Sequence, residues 1–426
     1  MKEHVLHFIW QHQYFNHNDL QCEDGQLITI IKKGNKNTNE GPDFDLALVK
    51  IGNIEWAGTI EIHIRSSDWN LHRHSAHNAY NNVILHVVWD NDTQIINNDG
   101  MPIPTLVLKN NVSKELIAKC NSLIENIQPI PCSSQFENVN YLTKIGMLER
   151  VLVSRLERKA ELVLGLLDQN KGDWEETAYQ VLAQNFGFKV NAAPFLRLAQ
   201  NLPFKMLLKH TEDTLQMEAL LFGQAGMLEE ESVDEYYWSL KREYQFLSHK
   251  YQLSANKLAK NEWKFMRMRP PNFPTIRLSQ LASLLVAAKG FFSQIIEQEN
   301  LGKLKNLFAV QQSEYWQKHY QFGKISARKL NGIGAEAADT LIINTVCVIL
   351  VAYSIYKSDE EYLEKAMQLL EQLGCEGNAI TRQWDELGVH AKNAFDSQAQ
   401  IELFNEYCTK KQCLNCMIGH ELLNRP

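Results

Sequence analysis

Hydrophobic spacing changes character near residue 110, and that change sets the architecture. Between residues 27 and 108 the apolar residues alternate with polar ones or gather in short blocks: Leu27 to Ile31, Phe44 to Ile51, Ile54 to Ile64, Val83 to Trp89 and Thr105 to Leu108. Two-residue alternation and short blocks rich in Val and Ile are strand signatures. From about Val112 the apolar residues return every three or four positions, as in Leu142 to Leu167 and Trp174 to Asn185, which predicts helices. Proline punctuation at Pro129, Pro131, Pro194, Pro203 and Pro270-Pro271-Asn272-Phe273-Pro274 divides that part into about ten helices. The expected fold class is α+β, with a small mixed β-sheet domain over 1–110 and a large all-α domain over 111–426. At 426 residues the chain exceeds what one ordinary core organises.

The net charge of −7 excludes a global basic footprint, so a nucleic-acid partner would need a local basic groove or a bound cation. The opening Met1-Lys2-Glu3-His4-Val5-Leu6 has no basic stretch followed by a pure apolar one, so a cytoplasmic protein is expected. The longest apolar run, Leu341 to Tyr353, is broken by Asn344 and Thr345 and falls short of the ~18 residues a span requires. A buried helix and no membrane partner are expected there. Eight cysteines are too sparse for a disulfide scaffold and read as thiols or metal ligands.

Chemistry concentrates between Gly41 and Trp89. Glu61 and His63 are two apart in an expected strand, so both project from one face. Asp43 opens the strand before. Two carboxylates suit Mg²⁺ or Mn²⁺, which makes Asp43 and Glu61 candidate ligands, with His63 to orient or deprotonate water. Ser67, Asp68, His72, His74, His77 and His86 would contact phosphate or support the ligands. A different set, His72, His74 and His77 with His63 or Asp68, would suit Zn²⁺. A third reading leaves His63 and His86 as hydrogen-bonded histidines that only fix the sheet.

Near the C-terminus, Cys408, Cys413 and Cys416 form a C-x₄-C-x₂-C cluster able to chelate Zn²⁺ or an iron–sulfur cluster, with Cys132 or His420 as a fourth ligand. Arg267 and Arg269, with Arg277, flank a rigid Pro-rich loop that could grip phosphates or carry salt bridges.

Asp43, then Glu61-x-His63 at the end of a hairpin, then a helix and another strand resembles the PD-(D/E)XK nuclease core. The resemblance implies a restriction-endonuclease-like sheet, Asp43 and Glu61 on the metal, and His63 where that family carries lysine. Cys132 with the C-terminal trio is similar to the iron–sulfur staple of certain nucleases, although there the core lies between the ligands and here it precedes them. Lys329-Leu-Asn-Gly-Ile-Gly334 resembles the glycine turn of a helix-hairpin-helix motif. Over nearly its whole length the chain resembles an uncharacterised bacterial family known only as a domain of unknown function. That match rests on Gly41-Pro42-Asp43-Phe44, Glu61-Ile62-His63, Ser67-Asp68-Trp69, His72 and His74, Tyr80, Leu85-His86-Val87-Val88-Trp89, the segments 218–226 and 267–277, and the cysteine tail. The family implies no activity. The residues themselves lead to a metal-dependent nuclease or phosphodiesterase acting on nucleic acid. The alternatives are a non-catalytic nucleic-acid or protein-binding scaffold with a metal staple, or a zinc-dependent hydrolase of a small substrate.

Overall fold

Two compact units make up the chain in the computed structural model, Met1–Met147 with Leu403–Pro426, and Leu148–Glu402. The structure describes residues 1–37, 40–229, 234–266, 268–288, 290–298 and 300–424. The stretch 1–110 is the sheet-bearing part of the first unit.

That sheet comprises β1 (Ile28–Lys32), β2 (Asn35–Lys36), β3 (Phe44–Ile51), β4 (Ile54–Arg65), β5 (Val83–Asp90) and β6 (Thr105–Val107). Their order is β1-β3-β4-β5-β6, with β2 beside β3. The pairs β1–β3 and β3–β4 are antiparallel, whereas β4–β5 and β5–β6 are parallel, so the sheet is mixed as the sequence predicts. Gly52 turns the β3–β4 hairpin with φ +59° beside the closing Ile51–Ile54 pair. Residues Val83 to Val88 of β5 are buried on both faces, which explains their unbroken apolar run. Helix α1 (Glu3–His12) buries Val5, Leu6, Phe8, Ile9 and Trp10 and packs on β4. Each such side chain contributes about 2 kcal/mol.

A parallel crossover must carry the chain from the end of β4 back to the start of β5. Here it is short: α2 (Asp68–Leu71), then 3₁₀ turns at His74–Ala76 and Asn78–Tyr80. Short turns form there in place of a longer helix because Asn and His favour local side-chain bonds over helix propagation. Gly58 permits the close β4–β5 approach, since a Cβ at this position would lie 2.5 Å from both the Asn82 carbonyl and Ile84 Cγ2.

After β6, α3 (Lys114–Glu125) begins at Ser113, whose side chain caps the Glu115 amide. The returning C-terminal helix Met417–Asn424 packs on α3 and on the turn Ser133–Asn138, all within the first unit.

The second unit is helical apart from a small hairpin, His319–Gln321 with Lys324–Ile325. Asp173, Asp213 and Asp234 each cap a helix through their carboxylates. The segment ending at Gly334 enters its helix from that hairpin, not from a preceding helix, so the helix-hairpin-helix arrangement is not formed. The apolar run expected to be short belongs to a longer helix, Ala335–Lys357, which by length and composition could cross a bilayer. Its most apolar window is 72% buried inside the fold, as in a core helix. The interrupting Asn344 accepts a hydrogen bond from Lys159 Nζ at 2.6 Å, which gives that polar break its partner.

Candidate metal centre

Register decides which side chains meet. In the parallel β4–β5 pair Glu61 stands opposite His86, and His63 follows two residues on, so their side chains enter one region. Trp69, 1% exposed, anchors the crossover loop and returns His72 and His74 over the same strands. Its indole N–H donates to Ser75 Oγ at 2.8 Å, and its ring meets His74 and His86 edge-on. Tyr80 stacks on His74 with ring centroids 3.8 Å apart.

The donors converge. His63 Nε2 lies 3.1 Å from His72 Nδ1, and Glu61 Oε1 lies 3.5 Å from His63 Nε2 and 3.2 Å from His74 Nε2. Four ligands of a tetrahedral ion bound at about 2.05 Å are about 3.3 Å apart, which these three separations bracket. His63, His72 and His74 each offer a nitrogen within 4.8 Å of the others, so the group could hold a metal ion. On the far side of His63, Nδ1 meets His86 Nε2 at 2.9 Å. With Nε2 turned to an ion, Nδ1 carries the proton and donates it to His86, as ligating imidazoles do.

Electrostatics fit the same picture. Burial, reinforced by the neighbouring imidazoles, lowers His63 to about 3. Burial lowers His74 to about 4 and His86 to about 3. All three are therefore neutral, the form that ligates. Burial and the adjacent Asp43 charge push Glu61 far above the carboxylate range. His74 Nε2, although close to Glu61, makes no well-directed hydrogen bond, and His86 Nδ1 has no partner. Buried polar atoms left this way are costly.

Asp43 sits beside this group in a reciprocal clasp: its amide donates to Glu61 Oε2 at 3.1 Å, and its Oδ2 accepts from the Ile62 amide at 2.9 Å. The same Oδ2 lies 3.3 Å from His7 Nε2 on α1. Its expected role as a direct ligand thus competes with two existing partners.

Other expected residues are elsewhere occupied. Ser67 bonds Asp92 through its amide at 2.9 Å and its hydroxyl at 2.8 Å, while Ser66 Oγ donates to Asp92 Oδ1 at 2.9 Å. Asp68 Oδ2 accepts from the Arg65 amide. These bonds fasten the end of β4 to the residues after β5 and leave Ser67 and Asp68 outside the histidine group. His77 is exposed and its Nδ1 accepts from the Ala79 amide, so it caps a turn and does not join the other imidazoles. Arg269 is exposed in the second unit, and Arg267 lies outside the described residues. Arg277 is buried against Phe188 and donates to Gln280 and Asn272. His420 turns to Tyr14 and His12, with its Nε2 at 2.7 Å from the tyrosine oxygen.

Sequence reasoning missed His7, Tyr80, Trp69 and Asp92. His7 carried a usable signal, an imidazole on the half-buried edge of an otherwise apolar helix. Nothing in spacing tied Asp92 to Ser66 and Ser67, because that bond closes a loop of more than twenty residues.

Fold and donors together define a mixed-sheet α+β protein with a buried histidine group suited to a metal ion. The chain belongs to the family described as "Protein of unknown function (DUF2851)", which matches residues 3–379. The matched span holds the histidine group and Cys132, while Cys408, Cys413 and Cys416 lie beyond it. No curated protein and no solved structure matches the chain.

Proposed function

We propose that this protein is a metal-dependent hydrolase of phosphodiesters, with nucleic acid as the substrate class and Glu61, His63, His72 and His74 holding the ion. The observation that carries the reading is the spacing of those four donors, three of whose separations fall between 3.1 and 3.5 Å. Three nitrogens with one carboxylate favour Zn²⁺, Mn²⁺ or Fe²⁺ over the all-oxygen preference of Mg²⁺. Such an ion polarises a phosphoryl oxygen and lowers the pKa of bound water. His72 is exposed while His63 and His74 are buried, so substrate would approach from the His72 side. Asp43, paired with His7, is the group beside the ligands that could take a proton, and His86 positions His63. The antiparallel β1-β3-β4 strands followed by parallel β5 support the nuclease-like comparison drawn from Asp43 and Glu61-x-His63. A cytoplasmic setting is part of the proposal and is supported by eight cysteines of which none is in a disulfide.

The nitrogen-rich donor set also favours a second reading, a zinc-dependent hydrolase of a small substrate. One experiment separates them: metal content of the purified protein, then Mn²⁺- and Zn²⁺-dependent cleavage of single- and double-stranded DNA, RNA and a small chromogenic phosphodiester, by wild type and Glu61→Ala. Nucleic-acid cleavage lost in the variant supports the nuclease. Turnover of only the small ester supports the second reading, and metal bound without any turnover leaves a binding scaffold.

A further inference from the structure

Four buried thiols of the first unit, Cys132 on one segment and Cys408, Cys413 and Cys416 on another that is hydrogen-bonded to it through Lys411, have no role in the proposed hydrolysis. We infer that Cys132, Cys408, Cys413 and Cys416 are the ligands of an iron–sulfur cluster.

The local structure is built to bring them together. Cys132 ends the loop after α3, Cys408 closes a π-helical turn (Leu403–Cys408), Cys413 opens a 3₁₀ turn, and Cys416 directly precedes the helix Met417–Asn424. Lys411 ties the C-terminal turn to the Cys132 loop by donating from Nζ to the carbonyls of Asn126 and Gln128. Asn126 Nδ2 in turn holds the Pro131 carbonyl at 2.8 Å, one residue before Cys132. The Asn140 amide donates to Glu421 at 2.8 Å and docks the following helix. Gly419 is required by this packing, because a Cβ there would lie 2.1 Å from the Cys413 carbonyl oxygen.

Each of the four cysteines is at most 8% exposed. Burial pushes Cys132 up to about 12, with further increments from Cys416 and Cys413; burial also raises Cys408, to which Cys132, Cys416 and Cys413 add. Cys413 Sγ lies 4.0 Å from the Leu123 carbonyl near the C-terminal end of α3, the helix that leads into the Cys132 loop. Lys144 and Lys411 act in the opposite sense on Cys132 and on Cys408 and Cys413, so two cations stand ready to balance thiolate charge. His420 is engaged with Tyr14 and His12, which leaves Cys132 as the fourth ligand.

Spacing selects the ligand. Among the described residues, the set of donors that all fall within 4.8 Å of one another is the histidine one, so no three of these sulphurs are packed that tightly. A single zinc ion bound at about 2.3 Å needs sulphurs about 3.8 Å apart. A cluster places its own irons and sulfides between the thiolates and suits the wider set. Assembly takes ferric iron and sulfide, with a thiol reductant supplying the electrons that turn part of the iron ferrous, and each ligating cysteine releases one proton to solvent.

The test uses the full chain purified without oxygen and reconstituted with ferric iron, sulfide and an excess of a small thiol, which supplies the electrons that bring the cluster to its mixed-valence state. Expected are about four irons and about four acid-labile sulfides per chain, with visible absorption and an electron paramagnetic resonance signal on reduction. Cys132→Ser should lose most of the iron and the colour, whereas Cys375→Ser, which changes an exposed thiol, should keep both. Iron-free wild type after reconstitution, one zinc per chain in its place, or full iron retention in Cys132→Ser each overturns the inference. Because the wild-type metal content is read directly, a variant that fails to fold does not remove the test. The outcome is independent of phosphodiester cleavage.

Discussion

In the presence of a chelator, the first unit should respond to acid through His63 and His86, whose pKa values burial holds at about 3. In the unfolded chain each returns to about 6.5. Between those values the unfolded state binds protons that the folded state does not, so stability is lost as pH falls through 6.5 toward 3. From pH 7 to pH 5 each imidazole costs about 2 kcal/mol, at about 1.36 kcal/mol per pH unit once titration is under way. Glu61 acts oppositely: its folded pKa is raised, so its contribution is lost as pH rises above the unfolded carboxylate value. Comparison of wild type with His86→Gln cancels that term. Native-state hydrogen exchange on the full chain, read at the β5 amides in chelator, should show a pH 7-to-5 loss about 2 kcal/mol smaller in the variant than in wild type. Parallel pH profiles for the two proteins would refute the claim that a buried neutral imidazole occupies this site.

Three further outcomes are expected. His86→Phe, which removes the acceptor for His63 Nδ1, should weaken Mn²⁺ or Zn²⁺ binding by about 10- to 100-fold in calorimetric titration, and unchanged affinity would remove the positioning role. Gly58→Ala should destabilise the protein by about 1–3 kcal/mol in urea denaturation, because its Cβ has no room against Asn82 and Ile84. Glu218, fully buried in the second unit, accepts from Ser279, Tyr236 and the Trp316 indole. Glu218→Leu should leave Ser279 and the Trp316 indole without that acceptor at a cost of about 3 kcal/mol or more, and a loss under about 1 kcal/mol would contradict that account.

The strands, the hairpin at Gly52-Asn53 and the change to helices near 112 were legible because each is written in local periodicity. The same holds for the proximity of Glu61 to His63, which a two-residue repeat guarantees on a strand. Asp92, His7 and the crossover loop were not legible, since their positions follow from contacts across long sequence separations. His77 shows the limit most clearly. It lies three residues from His74 in the same histidine-rich stretch, yet the backbone turn between them directs one inward and the other to a capping bond. Likewise Ser67 and Asp68, adjacent to the site in sequence, are claimed by the β4 exit. The helix 335–357 was underestimated because Asn344 was read as an interruption, when a buried lysine supplies its partner.

A sheet can accommodate a single buried histidine with one hydrogen-bond partner at little cost. It does not gain from His63 Nε2 set 3.1 Å from His72 Nδ1 and Glu61 Oε1 set 3.5 Å from His63 Nε2 and 3.2 Å from His74 Nε2, with the His86 Nδ1 behind them unpaired. Acid would charge the imidazoles in the unfolded chain, and Glu61 is charged there at every pH above its ordinary carboxylate value, so the ion-free folded state carries a protonation penalty in acid and at neutrality alike. A cation held by all four donors removes both penalties at once, because it prefers neutral imidazole and ionised carboxylate together. The proposal of a bound ion rests on that donor pattern. The proposal accordingly predicts that metal binding and the stability of β4 and β5 will be linked, with protection of their amides rising as Mn²⁺ or Zn²⁺ is added and failing to rise in Glu61→Ala.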